Sequence, residues 1–196
     1  MIRKWLWLLL LPLLGGTGCY AYVQTHPLVF NESLWSHAHC IKAAGLTLHQ
    51  WADEHEGKFP YHPKGYPNAL LLLDDGCYHT LTGPGYDAAA FHEAKRTGSE
   101  LREEDCGRVY IQGLTAKSNH EIALLFDKIP TPGGDHAHFP ERMWRPLGRE
   151  IWLVGGGQRF IEESEWQTFA STQIDLLVKE GVDRREAERL FAVQPP

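Results

Sequence analysis

The sequence predicts an α+β domain in which a long N-terminal helix packs on a small antiparallel sheet, with further helices at the C-terminus. Three observations favour this class. Apolar residues recur every three or four positions between Leu34 and Trp51, short β-branched and aromatic runs follow between residues 108 and 161, and two helical patterns close the chain. The chain has 196 residues. The stretch from 24 to 196 is long enough for one domain with a substantial core.

The first helix is predicted from its apolar stripe and its caps. Asn31 suits an N-cap, Gly57 suits the end of the helix, and Phe59-Pro60 opposes any continuation. The stripe consists of Leu34, Ala38, Ile41, Gly45, Leu48 and Trp51. Proline-rich residues 60–68 predict an irregular connection, and residues 69–73 predict a single helical turn.

A short helix and a charged loop are predicted next. Residues 86–96 follow Gly83-Pro84-Gly85 and have helical composition, whereas residues 98–105 are highly charged. The first segment therefore predicts a helix and the second a surface loop.

Strands are predicted where β-branched and aromatic residues cluster. The segments are residues 108–112, 122–127, 150–154 and 158–161. Gly155-Gly156-Gly157 predicts a hairpin between the last two, because glycine adopts positive φ readily. A long loop rich in Pro, Gly and His is expected across residues 128–148.

Two helices are predicted at the C-terminal end. Ser164 suits the cap of a helix over residues 165–180, which Gly181 would end. Asp183 suits the cap of a last helix that reaches about Phe191.

The N-terminal segment, residues 1–23, predicts export to a membrane. Arg3 and Lys4 precede an almost wholly apolar run from Trp5 to Leu14. Positive residues stay on the cytoplasmic side, so residues 24–196 are expected to face the periplasm or exterior, anchored at the membrane.

Two forms of that anchor remain open. Gly16-Thr17-Gly18-Cys19 is consistent with a lipoprotein signal, in which Cys19 is acylated after cleavage. Alternatively, residues 5–23 form an uncleaved transmembrane segment, just long enough to cross about 30 Å of hydrocarbon.

The remaining cysteines are Cys40, Cys77 and Cys106. An oxidising compartment permits disulfides, and Cys77 and Cys106 both lie in loop-like sequence, so they are the preferred pair. Three free thiols are the alternative, since connectivity cannot be deduced from sequence. Cys40 lies within a helical pattern and is expected to be a buried thiol.

The histidine-containing loop is the candidate metal site. Asp135, His136 and His138 combine two imidazoles with a carboxylate, which suits Zn²⁺, and His120 or Glu121 would have to supply a further ligand through the fold. The alternative is a solvated loop. Asp74-Asp75-Gly76 is a weaker candidate for Ca²⁺ and is expected to be a turn, since it lacks EF-hand spacing.

Composition and motifs narrow the functional classes. The net charge is −6 and no basic block occurs, which disfavours nucleic-acid binding. Nucleophile-elbow, zinc-protease and phosphate-loop motifs do not occur. The sequence therefore favours a non-enzymatic protein. A metal-binding lipoprotein that uses the loop of His136 and His138 is an alternative function.

Three segments, in order, resemble bacterial pseudopilin-like proteins of the type II secretion kind. Residues 39–60, HCIKAAGLTLHQWADEHEGKFP, resemble their helix; residues 109–114, VYIQGL, resemble a strand; and residues 151–163 resemble the closing hairpin. The resemblance implies a helix packed on an antiparallel sheet, tethered at a membrane, that acts by protein contacts in the cell envelope. The chain departs from that family in lacking a prepilin cleavage motif, and Gly155-Gly156-Gly157 replaces the closing Asp-Gly.

Overall fold

The computed structural model describes residues 40–73, 76, 78–132 and 144–192, and confirms an α+β fold with an antiparallel sheet. The helices are α1 (Ile41–Glu54), α2 (Tyr66–Leu70), α3 (Tyr78–Thr82), α4 (Ala89–Thr97), α5 (Trp166–Lys179) and α6 (Arg184–Phe191). The strands are β1 (Arg108–Tyr110), β2 (Ala123–Asp127), β3 (Thr131–Pro132), β4 (Leu147–Leu153) and β5 (Gln158–Glu162).

The sheet is built around β4. One edge of β4 pairs with β2 and then with β3, since Phe126 lies opposite Ile151 and Thr131 lies opposite Gly148. β3 therefore continues the line of β2. The other edge of β4 pairs with β5, and β1 pairs with the far side of β2. Among the described strands, β1, β3 and β5 are thus paired on one side only.

Helix α1 packs on one face of the sheet, against β2 and β4. Its contact depends on Gly45, because a Cβ there would lie 2.2 Å from the indole ring of Trp152. The ring of His49 meets the same indole edge-on at 6.0 Å. The buried residues of the helix are Ile41, Ala44, Gly45, Leu48 and Ala52. Every third or fourth residue is therefore buried, as the sequence pattern predicts.

Both ends of α1 differ in detail from the prediction. Cys40 has an extended backbone and is the N-cap residue, half-exposed, so its expected position inside a helix and inside the core is wrong. The rest of the predicted N-terminal part, residues 31–39, lies outside the described residues. At the other end, the Gly57 N–H donates to the Ala52 carbonyl over 2.8 Å with φ +78, which ends the helix as expected.

The C-terminal helices cover the opposite face of the sheet. Trp152 faces α1, and its neighbour Ile151 lies opposite Phe126. Because neighbouring residues of a strand point to opposite faces of the sheet, Ile151 and Phe126 point away from α1. Its ring lies 5.5 Å from Trp166 of α5 and 4.7 Å from Phe191 of α6, centroid to centroid. The Asp183 carboxylate accepts hydrogen bonds from the main-chain N–H groups of Arg185 and Glu186, which confirms the predicted cap.

Connections are more ordered than the sequence suggests. α2 begins within the predicted irregular stretch, and α3 is a helix that the sequence pattern does not predict. α4 starts at Ala89, where the Asp87 carboxylate accepts its N–H over 3.0 Å. β3 lies inside the predicted long loop because its two residues complete the edge of β4.

The transmembrane prediction falls outside the described residues. Within residues 40–73, 76, 78–132 and 144–192, no helix has both the length and the apolar composition needed to cross a bilayer.

Candidate functional site

Most of the predicted site residues lie outside the described part of the chain. They are Cys19, Asp74, Asp75, Cys77, Asp135, His136 and His138. Lipidation at Cys19, the zinc site and the calcium alternative therefore stay predictions.

Cys106 is described; its side chain is fully buried, and it forms no disulfide with another described residue. Its S–H donates to the Arg108 carbonyl, with an Sγ–O distance of 3.2 Å. Burial raises the pKa of this thiol to about 11, because a thiolate would lose its hydration. Since Cys77 lies outside the described residues, the Cys77–Cys106 pairing stays a prediction.

Glu121 and His120, the further metal ligands predicted from the sequence, have other surroundings in the structure. Glu121 forms an exposed ion pair with Arg159, with a 2.6 Å N–O distance, and His120 is exposed beside Gly155. Within the part of the chain that the structure describes, no three His, Cys, Asp or Glu side chains are grouped to hold a metal ion.

An open groove runs between β5 and α5, with a volume of about 650 Å³. Its apolar floor is formed by Ile161, Phe169 and Leu176, which are partly buried against the core. Polar residues form the rim, and the buried Gln173 lies in the wall; the rim residues are Asn119, Glu121, Arg159, Ser164, Glu165, Thr168 and Thr172. Alternation along β5 points Arg159 and Ile161 toward α5. The sequence predicted both β5 and α5 but did not indicate that they flank one groove.

Gln173 fixes the position of α5 beside this groove. Its side-chain oxygen accepts the Ala123 N–H over 2.8 Å, and its side-chain nitrogen donates to the Glu121 carbonyl over 3.1 Å. One buried amide thus pairs with the main chain at the start of β2, as a neighbouring strand would. The wall of the groove is therefore held by directed contacts.

The rim of the groove carries an unbalanced negative charge. The Glu121 charge is compensated by Arg159, whereas Glu165 has no ion-pair partner among the described residues. An apolar floor beside an available carboxylate suits a ligand with aliphatic groups and a cation.

A smaller cavity of about 180 Å³ lies between α2, β4 and α6, and its cations are compensated internally. Arg149 stacks on Trp166 at 4.6 Å and pairs with Glu163 at 3.1 Å. On the opposite wall, Arg189 pairs with both Glu103 and Glu186 at 2.8 Å. These contacts join α5 and α6 to the rest of the domain.

Lys128 is the remaining cation of that cavity. Its ammonium donates to the Glu103 carbonyl and lies 5.7 Å from the centre of the Tyr66 ring. Burial lowers the pKa of Lys128, because the charged form loses hydration. Since its neighbours are already paired within the chain, this cavity is best described as a structural cluster.

Comparison with known proteins found no family model, curated protein or solved structure that matches this chain. The resemblance of residues 39–60, 109–114 and 151–163 to pseudopilin-like proteins therefore stays a prediction. Function is inferred from the chain's own residues and contacts.

Proposed function

We propose that this protein is a membrane-tethered, extracytoplasmic, pseudopilin-like protein that acts by protein–protein contacts in the cell envelope and not by catalysis. The charged and apolar order of residues 1–23 supports the tether and its orientation. Packing of α1 on an antiparallel sheet agrees with the architecture that the resemblance implies.

The groove between β5 and α5 is the observation that carries the proposal. Its occupant is a segment of a partner protein that places two aliphatic side chains on Ile161, Phe169 and Leu176 and a Lys or Arg beside Glu165. Each aliphatic side chain that leaves water there contributes about 1.5–3 kcal/mol, before the cost of association is subtracted. The cation adds selectivity rather than much affinity, because the rim is exposed to solvent.

The tether is tested by the intact mass of the protein extracted from its native membrane. A mass that starts at Cys19 and includes acyl chains establishes a lipoprotein, and a mass that starts at Met1 establishes an uncleaved anchor. Recovery of the chain as a soluble species without residues 1–23 would overturn the tether.

The contact surface is tested by photo-crosslinking in the native envelope. A photoreactive amino acid at Thr172, on the rim of the groove, is compared with one at Leu46, which is 53% exposed on α1 at the opposite face. We expect a discrete protein adduct from position 172 and none from position 46. Equal adducts from both positions would contradict the groove as the contact site.

Charge reversal supplies the matched control for the partner's chemistry. Glu165→Lys is expected to reduce the adduct at position 172, whereas Asp53→Lys, on exposed α1 sequence, leaves it unchanged. Mass mapping of the adduct must then locate a basic residue beside the aliphatic contact. An adduct that survives Glu165→Lys would exclude the proposed recognition.

A further inference from the structure

Strand β5 is an edge strand, and its pairing with β4 fixes which of its main-chain groups point outward. The Leu153 N–H donates to the Gly157 carbonyl and the Glu163 N–H donates to the Leu147 carbonyl, each over 2.8 Å. Between these points the register with β4 is unbroken. Bonded and non-bonded pairs alternate in an antiparallel ladder. Arg159 and Ile161 therefore bond to β4, while Gln158, Phe160 and Glu162 turn their main-chain groups outward.

The outward edge is available in the described part of the chain. There, β5 pairs only with β4, and of the outward groups the Glu162 carbonyl accepts one local bond from the Glu165 N–H over 2.9 Å. An edge with a row of available N–H and C=O groups is a template for another strand.

The sequence of this edge is complementary to itself. In an antiparallel pair centred on Phe160, Phe160 meets its own counterpart and Gln158 lies opposite Glu162 of the second copy. On the other face, Arg159 lies opposite Ile161 of the second copy, so that the aliphatic stem of the arginine runs beside the Ile side chain at the strand edge. No like charges face each other directly, and a pair of aromatic rings occupies the centre.

Other registers fit less well. A shift by one residue places outward groups opposite groups that already bond to β4. A shift by two residues shortens the ladder and leaves either Gln158 or Glu162 without a partner opposite it. The five-residue register centred on Phe160 is therefore the favoured one.

We propose that a second copy of this chain adds its β5 antiparallel to this edge, with Phe160 on the two-fold axis. The pairing supplies up to about six main-chain hydrogen bonds, which makes a weak, reversible contact in free solution. It rests on the proposed function in one respect, since tethering to one membrane raises the effective concentration of the copies. It uses the edge of β5, whereas the partner segment uses the face of β5 toward α5.

Cysteine crosslinking of the full chain in its membrane tests the register. Paired residues in an antiparallel ladder have Cα atoms about 4.5–5.5 Å apart, which suits a disulfide. Phe160→Cys is expected to form a covalent dimer under mild oxidation. Arg159→Cys and Ile161→Cys are expected to crosslink when the two variants are co-expressed, and much less when either is alone. The unmodified chain and Gln50→Cys, on exposed α1, give the background.

A proline variant tests the main-chain contact without depending on residue 160. Gln158→Pro removes an outward N–H that β4 does not use, whereas Gln158→Ala keeps that N–H. Both substitutions remove the side-chain hydrogen bond from Gln158 to Glu150, so the two variants differ in the main-chain group. We expect Gln158→Pro to lower the yield of the co-expressed 159/161 crosslink about tenfold, since two symmetry-related hydrogen bonds are lost. Gln158→Ala should retain the yield, and thermal melting checks that both variants fold.

The outcomes separate this proposal from the proposed function. Crosslinks no stronger than the Gln50→Cys background, or equal yields from Gln158→Pro and Gln158→Ala, would overturn the strand pairing. A partner adduct at position 172 that persists in Gln158→Pro shows that the groove contact stands without it. If the chain without substitution at residue 158 gives no adduct at position 172 while the 159/161 crosslink exceeds background, that result contradicts the proposed function alone.

Discussion

Arg108 and Asp127 form a fully buried ion pair between β1 and β2. The Arg108 Nε donates to Asp127 Oδ1 over 2.9 Å, and both side chains have 0% exposure. Arg108 also donates to the Thr80 carbonyl, so the same guanidinium joins α3 to the sheet. The attraction between buried charges does little more than offset their lost hydration, yet breaking such a pair leaves a buried charge without compensation.

Replacing one member of this pair is expected to destabilise the domain strongly. Arg108→Met should lower the free energy of unfolding by about 3–5 kcal/mol, measured by urea denaturation. The double variant Arg108→Met/Asp127→Leu should recover much of that loss, because neither charge remains. Arg102→Ala, in an exposed pair with Asp105, should leave the urea midpoint unchanged. If Arg108→Met has a free energy of unfolding as high as that of the double variant, this account is contradicted.

Gly45 is expected to be irreplaceable because of Trp152. Alanine in a helix usually stabilises by about 0.5–1 kcal/mol relative to glycine. Here its Cβ would lie 2.2 Å from the indole, so Gly45→Ala is expected to cost about 1–3 kcal/mol through overpacking. The effect should shrink in a Trp152→Leu background, and a double-mutant cycle by thermal or urea unfolding measures that coupling. Additive effects would show that the indole is not the cause.

Gln173 is expected to stabilise the start of β2. Gln173→Leu removes the side-chain amide that bonds to the Ala123 N–H and the Glu121 carbonyl, and leaving these two main-chain groups without that partner costs about 1–3 kcal/mol. Amide exchange at Ala123 should accelerate in this variant. Gln173→Glu keeps the acceptor for Ala123 and should be intermediate. Thr172 is exposed on α5 directly before Gln173, so Thr172→Ala is the control and should leave the exchange rate at Ala123 unchanged.

The sequence predicted the elements whose signals are local. The spacing of Ile41, Leu48 and the other stripe residues fixes the buried face of α1, and the Asp183 cap marks the start of α6. It missed α3, since five residues offer too short a pattern for periodicity to show.

The candidate groove could not be predicted from the sequence, for a different reason. Ile161 and Leu176 share a floor only because Gln173 and the sheet hold α5 beside β5, and such long-range placement leaves no local pattern. The ion pair of Arg108 with Asp127 is likewise visible only once β1 and β2 are paired.

Burial of Cys106 predicts a loss of stability at alkaline pH. Below pH 9 both the folded and the unfolded thiol are protonated, so the contribution of burial is fully present. Between the ordinary pKa of 9.0 and the folded pKa of about 11, the unfolded state loses its proton first, so the free energy of unfolding falls. The loss attributable to this thiol is about 2–3 kcal/mol by pH 11.

The difference between Cys106→Ala and the unmodified chain isolates this contribution. Buried Tyr66 and Tyr110 also have pKa values raised by burial and weaken the fold at higher pH, and both remain in the variant. Urea unfolding from pH 8 to 11 should therefore show a shallower decline for Cys106→Ala, whatever its absolute stability. The native thiol should also resist a thiol reagent at pH 8 until urea is added. Parallel declines, or a non-reducing peptide map that joins Cys77 to Cys106, would contradict the free-thiol account.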